Sequence, residues 1–554
     1  MLLNNSLLCF YPVFGHIKSL SYEKFKKPFL RNYENKSQLS RRIHCQSVTT
    51  VAPVTKGVGI LQFFEGKNIF VTGATGLLGK VLVEKILRST PVGKIYVLVK
   101  ADDREAAMER LANELINSEL FGCLQEKYGK YYQELIREKL IPVVGNICEP
   151  NLGIDIESAR TMMEDINVII ESAAITTLNE RYDLLVHTNV NGPQRTMSFA
   201  KSCKNLEILV HFSTVYVNGE KEGVVFETPL INGENRRNDT SSDKSRQLEI
   251  ADDEITMALR SCTSSTNYEM TMNMKRHGME RARLNGWHNA YHMTKAMAEM
   301  AVEEIREDIP VLIIRPSVIE SCYKEPIPGW IQGNRMYDPV IISYGKGQLP
   351  AYLGDPDAPV DIIPLDIVVN ATIAAIAKHG QMHRSELAVY QIASSVVNPL
   401  LHKDFFDYLH EYFSSEPLIE LKNFAKICYH DNVAKIKFFD NFDDFSNYTR
   451  QEIGRRLGIK DGVAIDGKHN LKLQRQLKAN VTYAQQLCKL YEFAGFYKAR
   501  FHSGNVQIMF SEMSKEEKVD FSVDIKNIDW RKYFQRVHIP GLRKHVLNDK
   551  TISV

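Results

Sequence analysis

The chain is short of several things, and each shortage removes a class of function. Its nine cysteines are scattered over 554 residues without a CxxC pair, so neither a cysteine zinc site nor a disulfide framework is indicated, and a reducing compartment fits. No metal-ligand spacing stands out in the sequence. No uncharged run reaches the roughly 18 residues that span a bilayer; the nearest approach, Val360 to Ala377, is interrupted by Asp361 and Asp366. The net charge of +2 leaves no basic excess to steer the chain to nucleic acid. What charge bias exists is confined to residues 1 to 50, which hold eight Lys and Arg against Glu23 and Glu34.

What is present is the composition of a soluble globular enzyme, 44% hydrophobic and 25% charged, on a chain long enough for two or more folded units. Residues 1–45 are basic, poor in acids and dotted with Ser and Asn, without the long apolar stretch of a secretory signal. They read as a plastid transit peptide, a mitochondrial presequence being the alternative and a plain tail the bland one. Residues 46–58, rich in small side chains, read as a linker. From 59 to 395 strand-like apolar runs alternate with helical stretches, the pattern of a doubly wound α/β fold. Strands are expected at 67–72, 94–100, 140–144, 167–171, 206–213 and 311–315. Residues 221–286 break the alternation and read as an excursion with helices of its own, or a lid. From 396 to 554 helical patterning takes over, with Leu401, Phe405, Leu409 and Phe413 spaced four apart on one face. The aromatic and basic tail, FSVDIKNIDWRKYFQRVHIPGLRKHVL, suits packing on another domain, with an amphipathic membrane contact as the alternative.

The chemistry begins at KNIFVTGATGLLG, residues 67 to 79. An apolar run, glycines at 73, 76 and 79 and an apolar-periodic segment (Leu82, Val83, Ile86, Leu87) spell strand, tight turn and helix. The first glycine permits the turn, the second lets backbone approach a pyrophosphate, and the third lets the helix sit close on the strand. Phosphates would then meet free N–H groups at the positive end of the helix. The second strand ends in Lys100 where an acid would grip a ribose 2′-hydroxyl, so a 2′-phosphate and NADPH are favoured; the alternative is a solvated strand end. The third strand ends in Gly145-Asn146. The fourth runs into Ser172, Ala173 and Ala174, small enough for backbone to approach a dinucleotide. The fifth delivers Ser213 and Thr214, and the sixth ends at Pro316 and Ser317, at the sheet edge where ligands bind.

Tyr291 and Lys295 lie one helical turn apart. A carbonyl accepting hydride at carbon needs a proton at oxygen, and a tyrosine supplies it if a neighbouring ammonium favours the phenolate. Any Tyr and Lys at this spacing qualify as a surface pair; the position after a dinucleotide turn and a Ser-Thr strand end makes the catalytic reading the stronger. Thr214 is the expected third member, polarising the carbonyl, with Ser213 beside it; a strand-capping pair is the bland reading. Asn189 reads as structural, and His292 as incidental.

The blocks TGATGLLG, HFSTVYVNG (211–219), GWHNAYHMTKAMAEM (286–300), IIRPSVIES (313–321), EPIPGWI (325–331) and VDIIPLDIVVNA (360–371) together resemble the alcohol-forming fatty acyl reductases, an extended short-chain dehydrogenase family. The tail resembles that family's male-sterility-type C-terminal domain, and the likeness covers roughly residues 59–548. With the basic leader, the nearest kin would be plastidial enzymes of pollen-wall lipid synthesis. The resemblance implies a Rossmann-type parallel sheet with a mainly helical C-terminal domain. It places the cofactor loop on Thr72, Gly73, Ala74, Thr75, Gly76, Leu77 and Gly79, the 2′-phosphate base on Lys100, and further cofactor contacts on Asn146, Ile147, Ala173, Ala174, Pro316 and Ser317. Thr214, Tyr291 and Lys295 take the catalytic positions, and no metal is implied.

The reaction so implied is a four-electron, NADPH-dependent reduction of a long-chain acyl thioester, on acyl carrier protein or CoA, to a primary alcohol through an aldehyde. A reductase stopping at aldehyde and a non-catalytic NADPH- or lipid-binding scaffold are the rivals. The stroma is the expected compartment. The sequence departs from the family pattern at Asn146 (commonly Asp), whose oxygen can still accept a hydrogen bond from an adenine amine, at His288 (usually Pro), and at His292 and Met293 (usually apolar). Cys322, the one thiol near the expected site, reads as a buried structural group.

Overall fold

A computed structural model describes residues 57–230, 255, 266–382, 385–418, 434–459 and 468–549. The expected leader and most of the linker lie outside the described residues, as does much of the excursion. Residues Val54–Val554 form one compact unit.

Its centre is a parallel sheet of seven strands. In chain order the strands of the unit are β1 Ile69–Thr72, β2 Ile95–Val99, β3 Leu140–Val144, β4 Val168–Glu171, β5 Ile208–Phe212, β6 Gly223–Val225, β7 Val311–Pro316, β8 Val318–Glu320, β9 Ala351–Leu353, β10 Ile362–Pro364, β11 Leu387–Ile392, β12 Lys437–Phe439 and β13 Ala499–Phe501. The central sheet runs β11-β7-β5-β4-β1-β2-β3, the doubly wound order with its reversal beside β1. Helices cover both faces, so β1, β2, β4 and β5 are buried at every position and read as unbroken apolar runs rather than alternating ones. All six strands read from the sequence are present. The seventh, β11, was not singled out; it pairs with β7 from Leu387↔Val311 to Ile392↔Pro316.

Three short parallel pairs stand outside this sheet: β8 with β10, β9 with β12 and β6 with β13. The last two join residues before 395 to residues after it, so the C-terminal segment is woven into the α/β part. Phe405, Leu409 and Phe413 are buried along the helix His402–Ser415 as their spacing requires, while Leu401 caps it. In the tail, Trp530, Tyr533, Phe534, Ile539 and Leu542 are buried in the main core. The excursion contributes β6 and the helix Asn267–Leu284, opened by a Thr266–Glu269 capping box. Among the described residues, no helix is long and apolar enough to cross a membrane.

Candidate active site at the carboxyl edge of the sheet

The turn after β1 is shaped by its glycines as the spacing implies. Gly73 takes φ 76°, and a Cβ there would lie 2.7 Å from the Ala173 nitrogen. A Cβ on Gly79 would meet the Gly73 oxygen at 2.3 Å, so the helix Leu77–Ser89 can approach the turn only without one. Gly76 caps that helix with no side chain, which leaves its first N–H groups facing outward. Thr72 is fully buried and works from behind: its carbonyl accepts from Ser172 Oγ at 2.6 Å and its Oγ1 accepts from the Ser172 and Ala173 nitrogens at 3.3 Å. It thereby fixes the ends of β1 and β4 together. Ala74 is buried in the turn, while Thr75, Gly76 and Leu77 keep exposed surface.

Lys100 is exposed immediately after β2, and its carbonyl accepts from Arg110 at 3.0 Å. Lys80, in the first turn of the glycine-led helix, was missed by sequence reading. Burial lowers the pKa of its ammonium, Arg335 and Arg110 press the same way, and Glu114 opposes them. Cations gathered at the start of a helix favour an anion there. Asn146 turns its Oδ1 to the Cys148 nitrogen at 3.1 Å and its Nδ2 to Glu149 Oε1 at 3.1 Å, so its second lone pair alone is left for a base. Ile147 is buried beneath it, and Ala173 and Ala174 are half-buried. The turn, the outward N–H groups and the cationic surround fit a dinucleotide carrying a 2′-phosphate.

Tyr291 and Lys295 lie on the helix Ala290–Ile305, opened by Asn289, whose side chain accepts from the His292 nitrogen at 2.9 Å. Lys295 is 2% exposed, and among the described residues no ion pair or hydrogen bond reaches its ammonium. Burial lowers its pKa, opposed by Glu171 and Glu299. Glu171 ends β4 and meets His211 of β5 at 2.5 Å; Glu299 is held by Arg315 of β7 at 2.5 and 2.8 Å. These two buried acids, both missed from sequence, supply the counter-field that keeps a cation tolerable there. Tyr291 differs from expectation. Burial raises its phenol to about 12, and Lys295 does not appear among the causes, so in this geometry desolvation outweighs the ammonium and the tyrosine is protonated.

Thr214 sits just past β5. Its Oγ1 donates to the Pro316 carbonyl at 3.4 Å and accepts from the Tyr216 nitrogen at 3.4 Å, both long. Among the described residues Ser213 is buried with an unpartnered hydroxyl, while Ser317 faces the Asp361 carboxylate, so hydroxyls gather at the ends of β5 and β7 with hydrogen-bonding capacity to spare. Asn189 ties down the Ile175 backbone through both its amide atoms at 2.8 and 2.9 Å, a structural role. Cys322 is buried in the main core, where desolvation pushes its thiol well above the ordinary range.

His292 is not incidental. It stacks on Tyr216 with ring centroids 5.0 Å apart and meets Phe493 edge-on at 5.6 Å. His288 stacks on the same Phe493 at 5.2 Å and meets Tyr497 at 5.3 Å. The two histidines that depart from the family pattern are thus one feature, a wall shared with the C-terminal helix Lys468–Phe496. Their i, i+4 spacing was the available signal; Phe493 gave none. Burial drives His292 down to about 3 and lowers His288 as well, so both rings are neutral.

A parallel sheet reversing at a glycine turn, with Tyr and Lys on a helix behind a Ser-Thr strand end, defines an extended short-chain reductase. The model for the male sterility protein NAD-binding domain matches residues 71–372, and a second male sterility protein model matches residues 465–549. The chain is 43% identical to fatty acyl-CoA reductase 2, chloroplastic, of Arabidopsis thaliana, covering 92% of this chain and 84% of that one. It is 35% identical to the alcohol-forming fatty acyl-CoA reductase of Simmondsia chinensis, over 88% and 99%. Among solved structures, the terminal reductase domain of the myxalamid pathway superposes with TM-score 0.53 at 17% identity, over 87% and 91% of the two chains. A reductase domain of a Mycobacterium tuberculosis non-ribosomal peptide synthetase gives 0.53 at 16%, over 89% and 96%. These two share the fold. The chain belongs to the fatty acyl-CoA reductase family.

Proposed function

We propose that Tyr291, Lys295 and Thr214 carry out the reduction of a long-chain acyl thioester to a primary alcohol, with acyl carrier protein as the thioester carrier and the plastid stroma as the compartment. The observation that carries the catalytic part is that the turn after β5, which follows the Ser213 and Thr214 hydroxyls, packs through Tyr216 on the helix bearing the protonated Tyr291 and the buried Lys295. The Gly73–Gly79 turn would hold NADPH with Lys100 at its 2′-phosphate, and two NADPH bound in succession would supply one hydride each, for the thioester carbonyl carbon and for the aldehyde carbon. At each reduction Tyr291 holds the proton that passes to the carbonyl oxygen. Thr214 and Ser213 donate hydrogen bonds to that oxygen as charge gathers on it. Lys295 stabilises the tyrosinate left behind and offers donors to the ribose hydroxyls. Between the reductions the hemithioacetal breaks its C–S bond, releasing thiol and aldehyde, so two hydrides and two protons account for one alcohol. None of these steps needs a cysteine nucleophile.

The chain reads as a leader at 1–45, a linker at 46–58, a reductase domain at 59–395 and a C-terminal domain at 396–554 that walls the site. The plastid assignment is supported by the basic leader and by the chloroplastic relative. Product analysis tests the proposal. The chain from residue 46 is incubated with NADPH and hexadecanoyl thioesters of CoA and of acyl carrier protein, and extracts are run by gas chromatography. Hexadecanol is expected, in greater yield from the carrier protein. Aldehyde as sole product would sink the four-electron reading, and a preference for CoA would sink the carrier assignment.

A further inference from the structure

Three fully buried side chains remote in sequence converge away from the hydroxyl cluster. Glu320 ends β8, Asp338 opens the helix Asp338–Gly345 and His538 closes the π-turn Tyr533–His538 of the tail. Each is 0% exposed. His538 Nε2 lies 3.1 Å from Asp338 Oδ1 and 3.9 Å from Glu320 Oε2, and all three atoms fall within 4.8 Å of one another. Among the described residues none of the three atoms has a partner of ordinary hydrogen-bond geometry, the 3.1 Å approach included, although Glu320 and Asp338 lie close enough to interact directly. Unpartnered polar atoms buried in a core are strongly disfavoured, and three pointing at one spot demand a common cause.

The other polar atom of each group is already held. Glu320 Oε1 accepts from the Tyr337 nitrogen at 3.0 Å, Asp338 Oδ2 accepts from the Arg335 nitrogen at 3.0 Å, and His538 Nδ1 meets Ser321 Oγ at 3.0 Å. The imidazole is clamped by stacking on Tyr533 at 5.7 Å and by the Phe534 edge at 5.6 Å. Outer atoms fixed by protein and inner atoms left free is how metal ligands are oriented. Bonds of about 2.0–2.2 Å place neighbouring ligand atoms about 3–3.6 Å apart; the 3.1 Å separation falls inside that range and the 3.9 Å one just above it. Charge points the same way: two carboxylates that bind as anions would bring two negative charges, which one divalent cation cancels. Arg335 feels the field of Asp338 but makes no ion pair with either carboxylate.

We propose that Glu320, Asp338 and His538 form a buried site for a divalent transition-metal cation, zinc or manganese, that fastens the C-terminal tail to the reductase part. Sequence spacing could not reveal it, because the ligands come from three separate segments. The test uses the full chain purified without a histidine tag, exposed to zinc or manganese, freed of loose metal and measured by inductively coupled plasma mass spectrometry. About one equivalent per chain is expected, falling to about a tenth in Glu320→Gln and His538→Gln. EDTA should lower the wild-type melting temperature, zinc or manganese should restore it, and the variants should not respond to either. Should His538→Gln not fold, Glu320→Gln and the wild-type chelation curve still decide. Substoichiometric metal in wild type with a melting temperature indifferent to EDTA would overturn the site, as would equal metal in wild type and variants; the triad would then be a proton-sharing cluster.

Discussion

Two regions frame the candidate site, and they are built by opposite means. The cofactor edge is local: one strand, one glycine turn and one helix between Ile69 and Ser89 position it, and each glycine can be assigned a task from its own backbone and nearest atoms. The aromatic wall is non-local: Tyr216, His288 and His292 meet Phe493, Tyr497 and Phe501 from the far end of the chain. Local geometry holds the reagents. The distant segment packs on His292, whose ring lies 5.6 Å from that of Tyr291, so a segment that carries no expected catalytic residue reaches the neighbour of the expected catalytic tyrosine.

The largest expected effect tests the helix both regions serve. Tyr291→Phe should lower turnover by about 10³-fold while leaving NADPH affinity intact, since a positioned proton donor contributes roughly 10²–10⁴; steady-state rates beside fluorescence titration of NADPH read both, and undiminished turnover would refute the mechanism. Next comes the wall. Phe493→Ala removes a half-buried ring shared by His292 and His288 and should destabilise the chain by about 2 kcal/mol, less than the roughly 3–5 of a fully buried Phe, measured by urea unfolding, with a fall in kcat at temperatures where the variant stays folded. If stability fell but kcat did not, the wall would be packing alone.

On the cofactor side, Lys100→Ala should reduce the preference for NADPH over NADH by about tenfold, roughly 1.4 kcal/mol, with little change in melting temperature because the side chain is exposed. Isothermal titration with both dinucleotides checks it. The smallest effect is one of pH. The folded-state pKa of His292 is depressed to about 3, against about 6.5 in an unfolded chain. Its stabilising share is therefore complete above about pH 6.5 and is lost as pH falls from there toward 3. His402, lowered to about 4 by burial, behaves likewise. Melting temperature should drop between pH 7 and 5, and less steeply in His292→Phe; an unchanged slope would mean that His292 is not buried in solution.

Much of this was legible beforehand, for identifiable reasons. Six of the seven strands announced themselves because a doubly covered parallel strand is an uninterrupted apolar run; β11 sat unmarked ahead of the assumed domain end. Tyr291, Lys295 and Thr214 could be singled out because a helical turn and a strand end are short-range features. The protonation of Tyr291 could not, because it depends on how much protein surrounds the phenol. Thr72 reads as a cofactor contact from its place beside Gly73, and only the structure shows that its hydroxyl oxygen also joins β1 to the loop after β4.

The sequence by itself determined the strand order's raw material, the glycine turn, the Tyr-Lys helix and the family to which they belong, since each is written within a few residues and follows from backbone sterics and helical periodicity. Only the tertiary structure decided that Glu171 and Glu299 face Lys295, that His288 and His292 share Phe493, and that Glu320, Asp338 and His538 meet in the core. Apart from Lys295 and Glu299, one helical turn apart, those pairings join segments tens to hundreds of residues apart, and no periodicity records them; they exist because packing an apolar core brings whatever polar groups its elements carry into fixed contact.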